Sequence, residues 1–217
     1  MQILTQKVFE LGPPWGVFDE TVVRNLFWGR SEGAQRAIVH RAVSSGEVLR
    51  LKPGLYCLAE PYRKAHPHPF AVAGLLHSPS HISLETALWH HALIPEAVVE
   101  VASVITARSR HFHTPIGDFS FTRVPTNYPR AGVRAVEIAR DAWAFIATPL
   151  RAIADIVYTR KSVSFSRDGM GFLTDSLRID EDDLAAMTID DAGEILGGIR
   201  NKRTIAFVEG LLKELGK

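Results

Sequence analysis

The amino-acid sequence predicts an α+β fold, with a small N-terminal module, a larger mixed α/β domain and a helical C-terminal tail. Three observations predict it. The first module reads as helices followed by a hairpin, residues 98–147 contain several strand-like segments, and apolar residues at helical spacing mark the last helix. We place the module at residues 1–65 and the α+β domain at residues 66–217, with an acidic helical tail from about residue 173.

The composition is that of an ordinary globular protein. The chain has 217 residues, of which 46% are hydrophobic and 23% charged. No apolar run approaches the ~20 residues of a membrane span, and the N-terminal segment MQILTQKVFEL lacks the small-residue cleavage site of a secretion signal. The single cysteine, Cys57, excludes an internal disulfide and a four-cysteine zinc site. We therefore expect a cytoplasmic protein with no membrane partner.

The formal net charge of +1 is a cancellation between unlike parts of the chain. Residues 1–66 contain nine Lys/Arg and six Asp/Glu, a net of +3. Residues 161–217 contain eight Lys/Arg and eleven Asp/Glu, a net of −3, and the stretch between them is nearly neutral. A basic N-terminal module indicates a polyanionic partner at that end.

The N-terminal module has the element order of a winged helix-turn-helix. Apolar spacing predicts a first helix at residues 2–11, stopped by the Gly12–Pro14 run. Asp19 is a good N-cap for a second helix, and Ser31 for a third that extends to about Ser45. Two apolar-rich strands around a Pro-Gly turn then predict the hairpin.

The third predicted helix divides into an apolar side and a polar side, as a recognition helix requires. Arginine suits guanine edges and glutamine suits adenine edges, each through two hydrogen bonds. On the hairpin, Arg50 and Lys52 are two residues apart and are expected to point the same way, along the phosphate backbone. Glu32 lies in the same polar stripe and would repel phosphate. The candidate DNA-binding residues are Arg30, Ser31, Gln35, Arg36, His40, Arg41, Arg50 and Lys52.

The remainder of the chain predicts an α+β domain. The prolines around residues 60–69 indicate a linker, and Thr148 followed by Pro149 predicts a helix with threonine as N-cap. Asp180 with Asp183 resembles a capping box. The other predicted elements are a helix from Ser83 that stops before Pro95, strands at 98–106, 119–122, 133–138 and 143–147, and a last amphipathic helix with the stripe Ile205, Val208, Leu211, Leu212 and Leu215.

The sequence contains little that indicates catalysis or metal binding. The sequence has no GxSxG, P-loop, GxGxxG or HExxH motif. Eight of the nine histidines lie between residues 66 and 113, and on a strand a His-x-His pair such as His111 and His113 would project to one face and could hold a metal. A metal-dependent nuclease would need Glu-x-Lys on a strand, and the segments that begin at Glu100 and Glu137 lack the lysine. We expect no metal, no cofactor and no enzymatic activity, with Cys57 a small buried hydrophobe.

Three segments resemble the AbiEi-type antitoxins of bacterial type IV toxin–antitoxin systems, in that family's order. They are the hairpin VLRLKPGLY at residues 48–56, the segment HISLETALWHHALIPE at 81–96, and ATPLRAIADIVY at 147–158. The chain departs from the family pattern in the third segment, where Thr148 and Leu150 replace acidic residues.

The resemblance implies two roles in one chain. The winged helix would bind double-stranded DNA at inverted repeats in the promoter of its own operon and repress it. The larger domain would counteract a nucleotidyltransferase-like toxin, and the family provides no catalytic residues to assign. Two alternatives stay open: a metal-dependent nuclease-like enzyme that carries a winged-helix module, and a winged-helix protein-interaction module that does not bind DNA.

Overall fold

The computed structural model describes residues 1–13, 15–95 and 99–216, which form a mixed α+β protein as predicted. Pro14, the last residue of the predicted Gly12–Pro14 helix stop, and Val98, the first residue of a predicted strand, lie outside the described residues. No helix in the described ranges is both long and apolar enough to cross a membrane.

The N-terminal module has three helices and a three-stranded antiparallel sheet in the order β1–β3–β2. Strand β1, between the first two helices, was not predicted, and it completes the arrangement of a winged helix-turn-helix. The elements are α1 (Ile3–Leu11), β1 (Val17–Asp19), α2 (Glu20–Leu26), α3 (Glu32–Ser44), β2 (Val48–Lys52) and β3 (Leu55–Leu58).

Local hydrogen bonds explain where the helices of the module begin. The Asp19 carboxylate accepts hydrogen bonds from the N–H groups of Thr21 and Val22, at 2.9 and 3.0 Å, and begins α2. The Ser31 hydroxyl accepts one from the N–H of Ala34 at 3.3 Å and begins α3. Both predicted N-caps are confirmed, because each satisfies N–H groups that the first helical turn leaves unpaired.

The sheet of the module is buried on both faces. One face, with Phe18, Val48, Tyr56 and Leu58, packs against α1, α2 and α3 in a first hydrophobic core. The opposite face, with Val17, Leu51, Leu55 and Cys57, belongs to the core of the larger domain. All four residues of β3 are therefore buried, as is typical of a strand packed between two layers.

The larger domain is built on a six-stranded mixed sheet in the order β6–β7–β5–β4–β9–β8. The pairs β5/β7 and β4/β9 are parallel, and the other three pairs are antiparallel. The elements are α4 (Pro69–Leu76), β4 (Ser80–Ile82), α5 (Leu84–His90), β5 (Glu100–Ile105), β6 (Arg110–Thr114), β7 (Gly117–Arg123), β8 (Val133–Ala139), β9 (Ala142–Ala147) and α6 (Pro149–Thr159).

Four predicted strands and the two predicted helices of this domain are confirmed, with ends shifted by a few residues. Thr148 occupies the N-cap position of α6 but does not cap it with its side chain, which is a correction. Its hydroxyl instead donates to the Asp191 carboxylate at 2.8 Å, so the side chain joins α6 to the tail. Helix α4 was not predicted, because none of its residues is polar, exposed Leu75 included, and it shows little helical periodicity.

The tail consists of short helices and one longer terminal helix. Asp180 caps the first acidic helix by accepting from the N–H of Asp182 at 2.8 Å, so the predicted partnership with Asp183 is wrong. Val208 and Leu211 of the predicted stripe are buried. The elements are α7 (Phe165–Asp168), a π-helical turn (Phe172–Ser176), α8 (Glu181–Ala186), α9 (Ala192–Gly198) and α10 (Lys202–Glu214).

Candidate nucleic-acid interface

A surface groove lies between α2, α3 and the hairpin of the module. It brings together four of the eight predicted DNA-binding residues, Gln35, Arg36, His40 and Arg50. The other lining residues are Glu20, Val23, Arg24, Glu32, Val39, Val43 and Tyr56. The polar face of α3 and Arg50 of the hairpin therefore line the same groove.

The polar stripe of α3 carries an ion pair at its centre. Arg36 Nη2 lies 3.1 Å from Glu32 Oε2, and both side chains are 82% exposed. An exposed pair of this kind contributes little to stability, since water screens it and ordering two long side chains costs entropy. Arg36 can therefore leave Glu32 for a stronger partner, such as a guanine edge or a phosphate.

Gln35 has a structural role that the sequence did not indicate. Its Nε2 donates to the carbonyl oxygens of Arg30 at 3.1 Å and Phe27 at 3.4 Å. These bonds tie α3 to the turn that follows α2. The adenine contact expected of Gln35 requires both the amide nitrogen and the amide oxygen, so these two bonds would have to break for it to form.

The first turn of α3 and its far side hold the other predicted residues of the helix. Arg30 and Ser31 are exposed just before α3, where N–H groups and the helix dipole favour an anion. The Ser31 hydroxyl is already engaged as the N-cap. Arg41 is exposed but lies outside the groove, and neither Arg30 nor Arg41 forms an ion pair within the described part of the chain.

The expectation that Arg50 and Lys52 point the same way is wrong. The register of the hairpin shifts between them, from Arg50 opposite Tyr56 to Lys52 opposite Leu55. A bulge of this kind turns the following side chain to the other face of a strand. Lys52 Nζ donates to the carbonyl oxygens of Leu75 and Leu76 at 2.9 and 2.7 Å, at the end of α4.

Lys52 is therefore part of the contact between the module and the larger domain. Its ammonium lies at the C-terminus of a helix, where unpaired carbonyl groups favour a cation. Burial lowers the pKa of Lys52, and nearby Arg110 lowers it further. Only Arg50 of the two hairpin cations faces the groove.

Arg24 is a groove residue that sequence reasoning missed. It lies in α2, is exposed, and its Nη2 donates to the Thr21 hydroxyl at 3.1 Å. A basic residue on the exposed face of α2 was the available signal, because in DNA-binding helix-turn-helix modules the corresponding helix crosses the DNA backbone. Arg24, Arg36 and Arg50 outnumber the two acids of the groove, Glu20 and Glu32, by one charge.

Several histidines of the larger domain have different polar groups as neighbours. His90 is the last residue of α5 and His91 follows it as C-cap, with its Nε2 2.8 Å from the carbonyl oxygen of Ala147. His111 lies 3.1 Å from Glu100, and His113 lies 3.0 Å from Asp118. In the described ranges, no group of three or more His, Cys, Asp or Glu residues is placed to hold a metal ion.

The candidate nuclease carboxylates do not meet in space. Glu100 lies on β5 and Glu137 on β8, with β4 and β9 between those strands. Cys57 is completely buried in β3, as expected for a small hydrophobe, and burial raises the pKa of its thiol.

A buried polar cluster in the larger domain was not found from the sequence. Asp155 of α6 accepts from Arg151 Nε at 3.0 Å and from the Ser83 hydroxyl at 2.7 Å. His81 Nε2 lies 3.5 Å away from the same carboxylate. Burial alone would raise the pKa of Asp155, but the Arg151 guanidinium together with His81 and Ser83 holds it below the usual range.

Comparison of the chain with protein-family models gives no match, and comparison with curated proteins gives no significant match.

Proposed function

We propose that this chain is a DNA-binding repressor of its own operon, with the groove of the N-terminal module as the DNA-contacting surface. The observation that carries the proposal is the placement of Arg24, Arg36 and Arg50 in one groove formed by α2, α3 and the hairpin of a winged helix-turn-helix. A recognition helix that presents arginines on its exposed side can enter a major groove and reach base edges.

The three arginines have distinct proposed roles. Arg36, in the middle of the exposed face of α3, contacts a base edge after it leaves Glu32. Arg24 on α2 and Arg50 on the hairpin contact phosphates on either side. Arg30 and Ser31 adjoin the first turn of α3, where a further phosphate is favourable. Each phosphate contact adds about one unit to the slope of log affinity against log salt, so these few cations should give a modest but measurable salt dependence.

We further propose that the larger domain acts as an antitoxin against a nucleotidyltransferase-like toxin, as a cytoplasmic partner in a type IV system. The support is the resemblance of three segments, two of which are in direct contact. Ser83, from the segment 81–96, donates to Asp155, from the segment 147–158, at 2.7 Å. The acidic tail is the candidate surface for a partner other than DNA.

A DNA-binding measurement tests the repressor proposal. The purified chain is titrated with a fluorescent duplex of its own upstream inverted repeat and with a scrambled duplex, at several salt concentrations. Arg36→Ala is expected to weaken binding to the repeat by about 10- to 100-fold, since one bidentate base contact contributes ~1–3 kcal/mol. Arg140→Ala, an exposed arginine on the β8–β9 turn, is the matched control and should bind normally.

Two outcomes would overturn the repressor proposal. One is binding that is equally strong for both duplexes and independent of salt. The other is unchanged affinity in Arg36→Ala and Arg50→Ala, which would favour a protein-interaction module. Divalent-metal-dependent cleavage of the duplex that Glu137→Ala abolishes would instead favour the nuclease.

A growth assay tests the antitoxin proposal separately. The neighbouring nucleotidyltransferase-like reading frame is expressed from an inducible promoter, with and without this chain from an unrelated promoter. Rescue of growth is expected, and Arg36→Ala should rescue equally well because repression is not required. Absence of rescue by a folded, expressed chain contradicts the antitoxin role and leaves DNA binding unaffected.

A further inference from the structure

A cavity of about 240 Å³ lies between α4, strands β4 and β9, and the loop before β8. A smaller cavity of about 70 Å³ adjoins it. The two share Pro79, Ser80, His81 and Arg130 in their linings. We name the pair the aromatic cavity, because Trp15, Phe70, Trp143 and Phe145 line the larger part.

The aromatic cavity holds one positive charge that the described residues leave uncompensated. The Arg130 guanidinium lies over the Phe145 ring, 3.7 Å from its centroid, and forms no ion pair within the described ranges. The second arginine, Arg151, is neutralised by Asp155 at 3.0 Å. Burial lowers the pKa of His81, so its ring adds no charge near neutral pH.

His81 lines both parts of the cavity, but its Nε2 is not accessible to solvent. The residue is 7% exposed, and its Nε2 makes no hydrogen bond, with the Asp155 carboxylate 3.5 Å away. A buried ring nitrogen without a hydrogen bond is costly unless a further polar group reaches the residue. Arg130, which is exposed, is therefore the charged group of the wall that a ligand with polar atoms at one end can reach.

The backbone next to Arg130 is held in place before any ligand arrives. Arg151 Nη1 donates to the carbonyl oxygen of Ala131 at 2.7 Å. The following residue, Gly132, has a φ of +66°, and its carbonyl accepts from the N–H of Thr148 at 2.7 Å. Arg130 therefore extends from a fixed loop, which reduces the entropy lost on binding.

We propose that the aromatic cavity binds a single-ring aromatic carboxylate. The planar Arg130 guanidinium pairs with the carboxylate, for which its two parallel N–H groups are well suited. The ring lies among Trp15, Phe70 and Trp143, where aromatic walls contribute buried area and edge-to-face contacts. The volume of the larger part, where the ring would lie, is below the ~300 Å³ lower range of pockets for drug-sized ligands, which favours one ring over a nucleotide.

The position of the aromatic cavity relates it to the N-terminal module. Trp15 precedes β1 of the module, whereas Phe70 and Leu75 belong to α4 of the larger domain. The carbonyl of Leu75 accepts a hydrogen bond from Lys52 of the hairpin. A bound ligand would therefore contact both the module, through Trp15, and the larger domain, through Phe70. The proposal does not rest on DNA binding.

The test is direct titration of the full chain with benzoate and phenylacetate, followed by calorimetry and by tryptophan fluorescence. Two of the four tryptophans, Trp15 and Trp143, line the cavity, so fluorescence should change as it fills. Saturable 1:1 binding of at least one probe is expected. Benzamide, which lacks the charge, and acetate, which lacks the ring, should each bind at least about 10-fold more weakly.

Arg130→Gln should lower the affinity for the bound probe by at least about 10-fold, since it removes the charge from an exposed position without disturbing the core. Arg140→Gln, another exposed arginine that does not line the cavity, should bind normally. Circular dichroism of both variants verifies that they are folded. Absence of saturable binding of both probes, equal binding of benzamide, or unchanged affinity in folded Arg130→Gln would each overturn the proposal.

Discussion

Arg151 and Asp155 form an ion pair one turn apart on α6, with side chains only 4% and 3% exposed. The pair also reaches other elements. Arg151 Nη1 donates to the carbonyl of Ala131 before β8, and the Ser83 hydroxyl before α5 donates to Asp155. Burying two charges has a large desolvation cost that offsets their attraction, whereas removing one partner leaves an unpaired buried charge.

Asp155→Asn is expected to lower the free energy of unfolding by ~3 to 5 kcal/mol, because it leaves the buried Arg151 charge unpaired. Urea denaturation followed by circular dichroism measures the loss. Glu32→Gln breaks an exposed pair of the same i,i+4 spacing and should leave the unfolding midpoint unchanged. A loss for Asp155→Asn as small as that of the control would contradict the structural role assigned to the pair.

The stability of the fold should fall as pH decreases from about 7 to about 5. Burial lowers the pKa of His81 below its ordinary 6.5, and Arg151 and Arg130 lower it further against the opposing effect of Asp155. In the unfolded chain His81 takes up a proton near pH 6.5, and in the folded chain it does so only at lower pH. The unfolded state therefore binds more protons, so acidification favours unfolding.

His81→Gln measures this contribution. Burial also lowers the pKa values of His68 and His90, which act in the same direction. The relevant quantity is therefore the slope of unfolding free energy against pH, which should be shallower in His81→Gln than in the wild type. Identical slopes would show that His81 titrates alike in both states.

Gly132→Ala should destabilise the fold by about 2 to 4 kcal/mol. The backbone at Gly132 has a φ of +66°, and an added Cβ would lie 2.7 Å from Arg151 Cβ and 2.7 Å from Ile195 Cδ1. Gly193→Ala in α9 is the control, since no heavy atom lies within 4 Å and its φ is ordinary. The control should be unchanged or up to about 1 kcal/mol more stable. Thermal unfolding of both variants compares them, and equal midpoints would be inconsistent with the packing at Gly132.

Arg50→Ala should affect DNA binding and Lys52→Ala should affect stability, although the two residues are only two positions apart. Arg50→Ala should reduce by about one the slope of log affinity against log salt for DNA, because one phosphate contact is lost. Lys52→Ala should keep the slope but lower the unfolding midpoint, because two helix-terminal carbonyls lose their partner. A reduced slope in Lys52→Ala with normal stability would place Lys52 on the DNA instead.

The sequence predicted those features of the fold that depend on local interactions. The N-caps Asp19 and Ser31 each bond to N–H groups two or three residues on, so the pattern is contained in a short window. Four of the six strands of the larger sheet, β5, β7, β8 and β9, carry β-branched or alternating residues that indicate their conformation, whereas β4 and β6 were not predicted. Helix α4 gave no such signal, because even its exposed residues, such as Leu75, are apolar and it has no polar face.

The candidate interface was predictable in outline but not in its individual contacts. The face of α3 follows from helical spacing, and Arg36 and His40 lie on it. The positions of Lys52 and Gln35 do not follow, because one depends on a bulge and a contact with α4, and the other on carbonyls of a preceding turn. Thr148 illustrates the same limit, since its partner Asp191 is 43 residues away.

Strand β3 has a consequence for how this protein can be recombined. Tyr56 and Leu58 belong to the core of the module, whereas Leu55 and Cys57 belong to the core of the larger domain. A winged helix transplanted from another protein would fit here only if its central strand carried apolar side chains shaped for a second, foreign core. The two parts therefore cannot be exchanged separately between proteins, and an exchange must transfer the whole chain.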